Sequence, residues 1–147
     1  MSGPLVVIDS SVFVGARNSD EREHADWVRI LELAPRRRIQ GLVSTISVAE
    51  VCAGYYVEGD SDGREGFLDY LRGSNRLSVV PVDLEIADVA ASLRTKTSLR
   101  LPEALIVASA LVRRAECVVT QDREFAKART LVAPASAKEL ADRMEAA

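Results

Sequence analysis

Nitrogen and sulfur ligands are scarce in this 147-residue chain, which holds one histidine and two cysteines. The histidine, His24, lies within DEREHADW and reads as a surface residue of a helix. Its solitude removes histidine-based zinc sites and the Ser–His–Asp mode of hydrolysis. Cys52 and Cys117 fit no paired-cysteine metal spacing and are expected as buried free thiols rather than a disulfide. No apolar run approaches the roughly 20 residues that cross a bilayer. The opening MSGPLVVIDSS has neither a basic n-region nor a long apolar h-region, so a cytoplasmic protein is expected. An excess of positive charge is missing too: the formal net charge is −3 and the pI about 5.3. That weighs mildly against a life of nonspecific nucleic-acid binding. What remains for chemistry is carboxylates, hydroxyls and a bound metal.

The rest of the composition is that of an ordinary globular protein, 48% apolar and 28% charged, long enough to bury a core. We expect a single domain over 1–147. Leu5–Ile8, Gly41–Ile46, Leu77–Val82 and Cys117–Thr120 are short, apolar and rich in β-branched residues, and read as buried strands. Thr130–Ala133 is a candidate fifth. Helices are expected over Ser10–Ala16, Asp20–Leu33, Ser47–Val57, Glu65–Leu71, Asp83–Lys96, from Pro102 onward, after Asp122, and over Ser136–Ala147. Strands apolar throughout and alternating with helices predict a three-layer α/β/α sandwich. Its central sheet would be mostly parallel, with four to five strands.

In such a sheet the ends of strands and the starts of the following helices share the carboxyl edge, where ligands bind. Asp9 ends the first strand, and Glu50 is expected in the first turn of the helix after the second. Glu103 stands in the first turn of a later helix, and Asp122 follows the fourth strand. Each has a local explanation as well. Asp9 or Ser10 would cap a helix, Ser47 to Glu50 fits an S-x-x-E capping box, Glu103 suits a helix dipole, and Asp122 would cap its own short helix. Together, however, four converging carboxylates repel one another unless protonated or neutralised, and no lysine or histidine lies beside them in sequence. Oxygen-only ligands select hard ions such as Mg²⁺ or Mn²⁺. Ser11 and Thr120 are placed to orient the carboxylates through hydrogen bonds, or simply to end their elements.

Four stretches, VVIDSSVFV (Val6–Val14), SVAEVCAGY (Ser47–Tyr55), LPEALIVASAL (Leu101–Leu111) and VVTQDREF (Val118–Phe125), carry a resemblance to the PIN-domain nucleases. Their order and spacing are similar in particular to the small toxin ribonucleases of VapBC toxin–antitoxin pairs. The resemblance implies a Mg²⁺- or Mn²⁺-dependent endoribonuclease that cuts single-stranded or loop regions of structured RNA (tRNA, rRNA or mRNA). It further implies a homodimer and a cognate VapB-like antitoxin that occupies the site. Carried over by position, Asp9, Glu50, Glu103 and Asp122 are the catalytic and metal-holding acids, and Ser10, Ser11 and Thr120 their small polar neighbours. Glu103 departs from the family pattern, which usually has aspartate there. The products would carry 5′-phosphate and 3′-hydroxyl ends. Arg100 and Arg123 are candidates to guide the RNA backbone toward the acidic pocket.

Three rival readings stay in view. A phosphatase of the haloacid dehalogenase type needs a second aspartate two positions after the first, where this chain has Ser11. A response-regulator receiver needs a lysine near its acidic pocket, and none is evident. A PIN fold with weakened catalysis that only grips RNA or a protein partner is the third, and Glu103 keeps it open.

Overall fold

The computed structural model describes residues 3–18, 24–36, 38–74 and 77–146. Five strands form one sheet in the order β3-β2-β1-β4-β5, with every neighbouring pair parallel. They are β1 (Leu5–Ile8), β2 (Gln40–Ser44), β3 (Leu77–Val80), β4 (Cys117–Val119) and β5 (Ala133–Ala135). Parallel strands need crossovers, and helices supply them: α1 (Ser10–Arg17) and α2 (His24–Leu33) between β1 and β2, then α3 (Thr45–Glu58) and α4 (Ser61–Gly73) between β2 and β3. Next come α5 (Leu84–Thr97) and α6 (Leu101–Arg113), a 3-10 helix over Arg123–Ala128, and a closing α7 (Ala137–Ala146).

The two faces of β1 show why the sandwich has three layers. Val6 and Ile8 join a core with Trp27, Ile30, Val51, Phe67 and Leu140, drawn from α1 to α4 and α7. Val7 points the other way, into a core with Ile86, Ala90, Ile106, Val107 and Phe125. Both faces are dry, so side chains that alternate between faces along a strand need not alternate in polarity. The chain winds outward from β1 to β3 over one face and returns through α5 and α6 over the other. The order of strands therefore reverses at the boundary between β1 and β4, the position where such sheets open a crevice at their carboxyl edge.

Several boundaries differ from the sequence reading for local reasons. β2 stops at Ser44, whose hydroxyl accepts from the Ile46 N–H at 3.2 Å and begins α3 at Thr45, two residues earlier than expected. Likewise α4 begins at Ser61 rather than Glu65, because the Asp60 carboxylate accepts from the Gly63 N–H at 2.8 Å. Between these helices Gly59 sits at φ 68, a left-handed cap that glycine adopts without a Cβ clash. β5 lies two residues beyond the expected Thr130–Ala133 and contains Pro134, tolerated because β5 is an edge strand. On α2 the buried residues are Trp27, Ile30 and Leu33, whereas Ala25 faces solvent and Val28 and Leu31 are half-buried. The expected helical stretch from Asp20 to Glu23 lies outside the described residues. His24 is half-buried rather than superficial, and its Nδ1 donates to the Gly15 carbonyl at 2.9 Å. Both cysteines are free, Cys117 buried and Cys52 half-buried. No helix among the described residues is long and apolar enough to cross a membrane.

Gly15 and Gly66 give opposite expectations from the same substitution. A Cβ on Gly15 would overlap the indole of the fully buried Trp27, so Gly15→Ala should lower unfolding free energy by about 1–3 kcal/mol. A Cβ on Gly66 meets nothing within 4 Å inside α4, so Gly66→Ala should raise it by roughly 0.5–1 kcal/mol. Urea unfolding monitored by Trp27 fluorescence measures both.

Candidate functional site

The crevice between β1 and β4 receives its side chains from residues immediately beyond the two strands. β1 and β4 pair in register through Ile8 and Val119, and the Asp9 N–H extends the ladder by donating to the Val119 carbonyl at 3.0 Å. Asp9 is only 5% exposed and makes no side-chain bond to cap α1. Instead its Oδ2 accepts from Thr120 Oγ1 at 2.8 Å and from Ser11 Oγ at 3.0 Å. Thr120 Oγ1 also accepts from the Asp122 N–H at 3.0 Å, and Ser11 Oγ from the Gln121 N–H at 3.3 Å. Two hydroxyls thus tie the exit of β4 to the carboxylate that follows β1. The helix-capping reading of Asp9 is set aside by this geometry.

Asp122 divides its oxygens. Oδ1 accepts from the Glu124 N–H at 2.9 Å and caps the 3-10 helix as expected, while Oδ2 lies 3.5 Å from Nη2 of Arg100. The same Nη2 donates to Glu103 Oε1 at 3.1 Å. Here the sequence reading missed a neutralising charge: it looked for lysine and histidine beside the acids, yet Arg100 stands three residues before Glu103. That spacing, which places side chains together at the start of a helix, was the available signal.

Glu103 is 8% exposed, and its second oxygen, Oε2, is buried without a hydrogen-bond partner. An exposed ion pair of the kind Arg100 offers contributes about 0–1 kcal/mol. A buried polar atom left unpaired costs about 1–3 kcal/mol. The arrangement therefore does not stabilise the protein by itself, and it leaves an oxygen directed at no donor.

Glu50 enters from α3. The S-x-x-E capping-box reading fails here, because Ser44 is the cap and Ser47 is buried one turn into the helix with its hydroxyl unpartnered. Glu50 accordingly stands in the second turn, not the first. Its outer edge meets solvent, yet its carboxyl is pushed above the ordinary value of 4.5, first by partial desolvation and then by the negative charges of Asp9 and Glu103. A hydrogen bond from Ser10 and the positive charge of Arg100 pull in the opposite direction. All four predicted acids, with Ser10, Ser11 and Thr120, thus surround one crevice. Arg123, the other predicted basic residue, points to a neighbouring cavity and bridges none of the acids.

Whether these residues suit a divalent ion is decided by donor chemistry and placement. An all-oxygen set with one buried, unpartnered carboxylate oxygen fits a hard cation such as Mg²⁺ or Mn²⁺. As placed, no three acidic, histidine or cysteine side chains among the described residues stand close enough to hold an ion. The guanidinium of Arg100 lies between Glu103 and Asp122, so ion binding requires it to withdraw.

A family profile described as the PIN domain matches residues 6–131 of the chain. No curated protein sequence matches it. Among solved structures, the chain is similar to a toxin–antitoxin complex from Klebsiella pneumoniae, with TM-score 0.69 and 21% identity over 90% of this chain and 97% of that one. It is also similar to VapBC2 from Rickettsia felis bound to a promoter DNA fragment, with TM-score 0.70 and 19% identity over 90% and 98%. A third is VapC20 of Mycobacterium tuberculosis, described as a sarcin–ricin loop cleaving toxin, with TM-score 0.70 and 15% identity over 87% and 97%.

The crowding at Glu50 has a pH signature. The folded protein holds the Glu50 proton more tightly than the unfolded chain, so stability is lost as pH rises from about 4.5 through the raised folded value. Glu50→Gln removes that loss. In metal-free buffer the variant should melt above the parent at pH 7, and the difference should vanish below pH 4; thermal melts at a series of pH values measure this.

Proposed function

Starting from the fact that this chain belongs to the PIN-domain family, we propose that it is a divalent-metal-dependent endoribonuclease, the toxin of a VapBC-type pair. The substrate is a single-stranded or loop region of structured RNA (tRNA, rRNA or mRNA). A cognate VapB-like antitoxin neutralises the enzyme by covering the crevice. The observation that carries the reading is the cluster itself: an unpartnered buried Oε2 on Glu103 beside a Glu50 whose proton affinity is raised by Asp9 and Glu103. Crowded carboxylates with a spare oxygen call for a cation. The likeness to solved toxin–antitoxin complexes supports the assignment to toxins.

Asp9, Glu50, Glu103 and Asp122 are the residues that would hold Mg²⁺ or Mn²⁺. Such an ion, when bound, lowers the pKa of water and offsets charge on the phosphate. The chain's own groups do the positioning. Ser11 and Thr120 both donate to Asp9 Oδ2, which fixes the carboxylate's orientation and leaves Oδ1 without either hydroxyl. Ser10 steadies Glu50 from below. Arg100, once displaced from Glu103 and Asp122, remains at the rim of the crevice as a cation for the RNA backbone; its side chain is already 65% exposed. Glu103, in place of the family's usual aspartate, keeps the ion pair with Arg100 through Oε1 and leaves the buried Oε2 without a partner.

Homodimer formation is part of the same proposal. Tyr55 and Phe67 are committed to the core, whereas Tyr56, Val57 and Tyr70 are exposed and available to meet a second copy. The second reading, a PIN fold that binds RNA or protein without cutting, draws its support from Arg100 standing where an ion would. Cation binding separates the two.

Asp9→Asn should abolish Mn²⁺-dependent RNA cleavage, by about 100-fold or more, while the circular dichroism spectrum and metal-free melting stay near those of the parent. Full cleavage by that variant would overturn the nuclease reading. Arg100→Ala tests the competition between guanidinium and ion. Without metal the variant should be less stable than the parent, since Glu103, Asp122 and Glu50 lose the positive charge of Arg100. Its stabilisation by Mn²⁺ should be larger, because nothing has to leave. Thermal melts with and without 1–10 mM MnCl₂ read both effects, and equal Mn²⁺ responses would show that Arg100 does not compete.

A further inference from the structure

Beside the acidic crevice lies a second hollow, of about 510 Å³, that the sequence reading did not anticipate. Its walls come from the exits of two adjacent parallel strands. Thr120, Gln121 and Asp122 follow β4, Pro134 to Ser136 end and follow β5, Ala126 comes from the 3-10 helix, and Glu139 from the first turn of α7. The volume is in the range of ligand sites. Because Thr120 and Asp122 line it, an occupant touches the same residues that bound the acidic crevice.

Two side chains of opposite charge, Arg123 and Glu139, line this hollow, and both are exposed. They do not pair with each other, and neither has an ion-pair or side-chain hydrogen-bond partner among the described residues. Other charged neighbours are already engaged: Lys127 with Glu124 at 2.7 Å, Lys138 with Asp142 at 2.8 Å, and Arg100 with Glu103 and Asp122. An unpaired guanidinium and an unpaired carboxylate across an apolar wall of Ala126, Pro134 and Ala135 define a ligand. It has an anionic group at one end, a flat apolar body, and N–H donors at the other end.

We propose that this hollow seats the nucleotide adjoining the scissile phosphate, and that it takes guanine; the proposal rests on the RNA-cleavage reading above. Arg123 binds the phosphate through its planar fork of N–H groups. The base lies against Pro134 and its neighbours, and its pairing edge meets Glu139. A carboxylate only accepts hydrogen bonds, so it distinguishes the bases by their donors. Guanine presents two adjacent donors, N1–H and N2–H, which match the two carboxylate oxygens. Adenine and cytosine present one amino donor beside a bare ring nitrogen, which the carboxylate repels. Uracil presents one N–H flanked by two carbonyls. Single-stranded RNA exposes these edges, as recognition of this kind requires.

The test uses the full chain in metal-free buffer and the four ribonucleoside 5′-monophosphates as probes, followed by calorimetry or amide chemical shifts. Guanosine monophosphate should bind about tenfold tighter than the others, the discrimination expected of a bidentate contact. Glu139→Gln should erase that preference, and Arg123→Ala should weaken all four by a similar factor. Equal binding of the four by the parent, or an unchanged preference in Glu139→Gln, would overturn the proposal. Mn²⁺ stabilisation of the same sample reports on the acidic crevice separately. A guanine preference without a Mn²⁺ response keeps the guanine site and removes the nuclease. A Mn²⁺ response without base preference does the reverse.

Discussion

Mutual repulsion among carboxylates gathered at the reversal point of a parallel sheet is the constraint from which the rest of this site follows. Asp9, Glu50, Glu103 and Asp122 arrive from four different elements, and each pays a share of the electrostatic cost of meeting there. The chain offsets that cost with modest means. Hydroxyls of Ser11 and Thr120 bind one oxygen of Asp9. A backbone N–H binds one oxygen of Asp122. A single guanidinium is divided between Glu103 and Asp122. One buried oxygen still has nothing. That deficit supports the proposal of an external cation, since a protein selected for stability alone would put apolar side chains there.

In this structure Arg100 offsets part of the repulsion by pairing with Glu103 and Asp122. In the proposed nuclease a bound ion would make that guanidinium surplus and free it toward solvent, where a polyanion would meet it. Its partial exposure makes the exchange inexpensive, because the ion pair it gives up is worth little in water-accessible surroundings. Arg123 has a different part. It lines the neighbouring hollow and bridges none of the acids, so the two arginines are divided between the acidic crevice and the space beside it.

Much of this was legible in the chain before any coordinates, and the reason is physical. A strand buried on both faces must be apolar throughout, so VVI, LVS and CVV announce a parallel sheet. An acid at the end of such a strand can only lie at its carboxyl edge. The failures were of a different kind. The S-x-x-E pattern at Ser47 looked like a helix start, but Ser44 reached the backbone first. Ser47 then fell inside the helix, and Glu50 moved one turn along it. The fifth strand was expected at Thr130–Ala133 but lies at Ala133–Ala135, where Pro134 is tolerated because an edge strand leaves one side without a partner to miss its N–H. In each case two residues were locally equivalent, and the choice was made by where the sheet ended.

By itself, then, the sequence determined what local periodicity and residue chemistry can express: a parallel sheet wrapped by helices, and an oxygen-only set of acids at strand ends. Only the tertiary structure decided which groups those acids meet. Thr120 binds Asp9 across 111 positions of chain, and that bond exists because β1 and β4 lie side by side in register. The same closure sets Arg123 and Glu139 across one hollow. Contacts between residues so distant are properties of the assembled sheet, and no pattern along the chain encodes them.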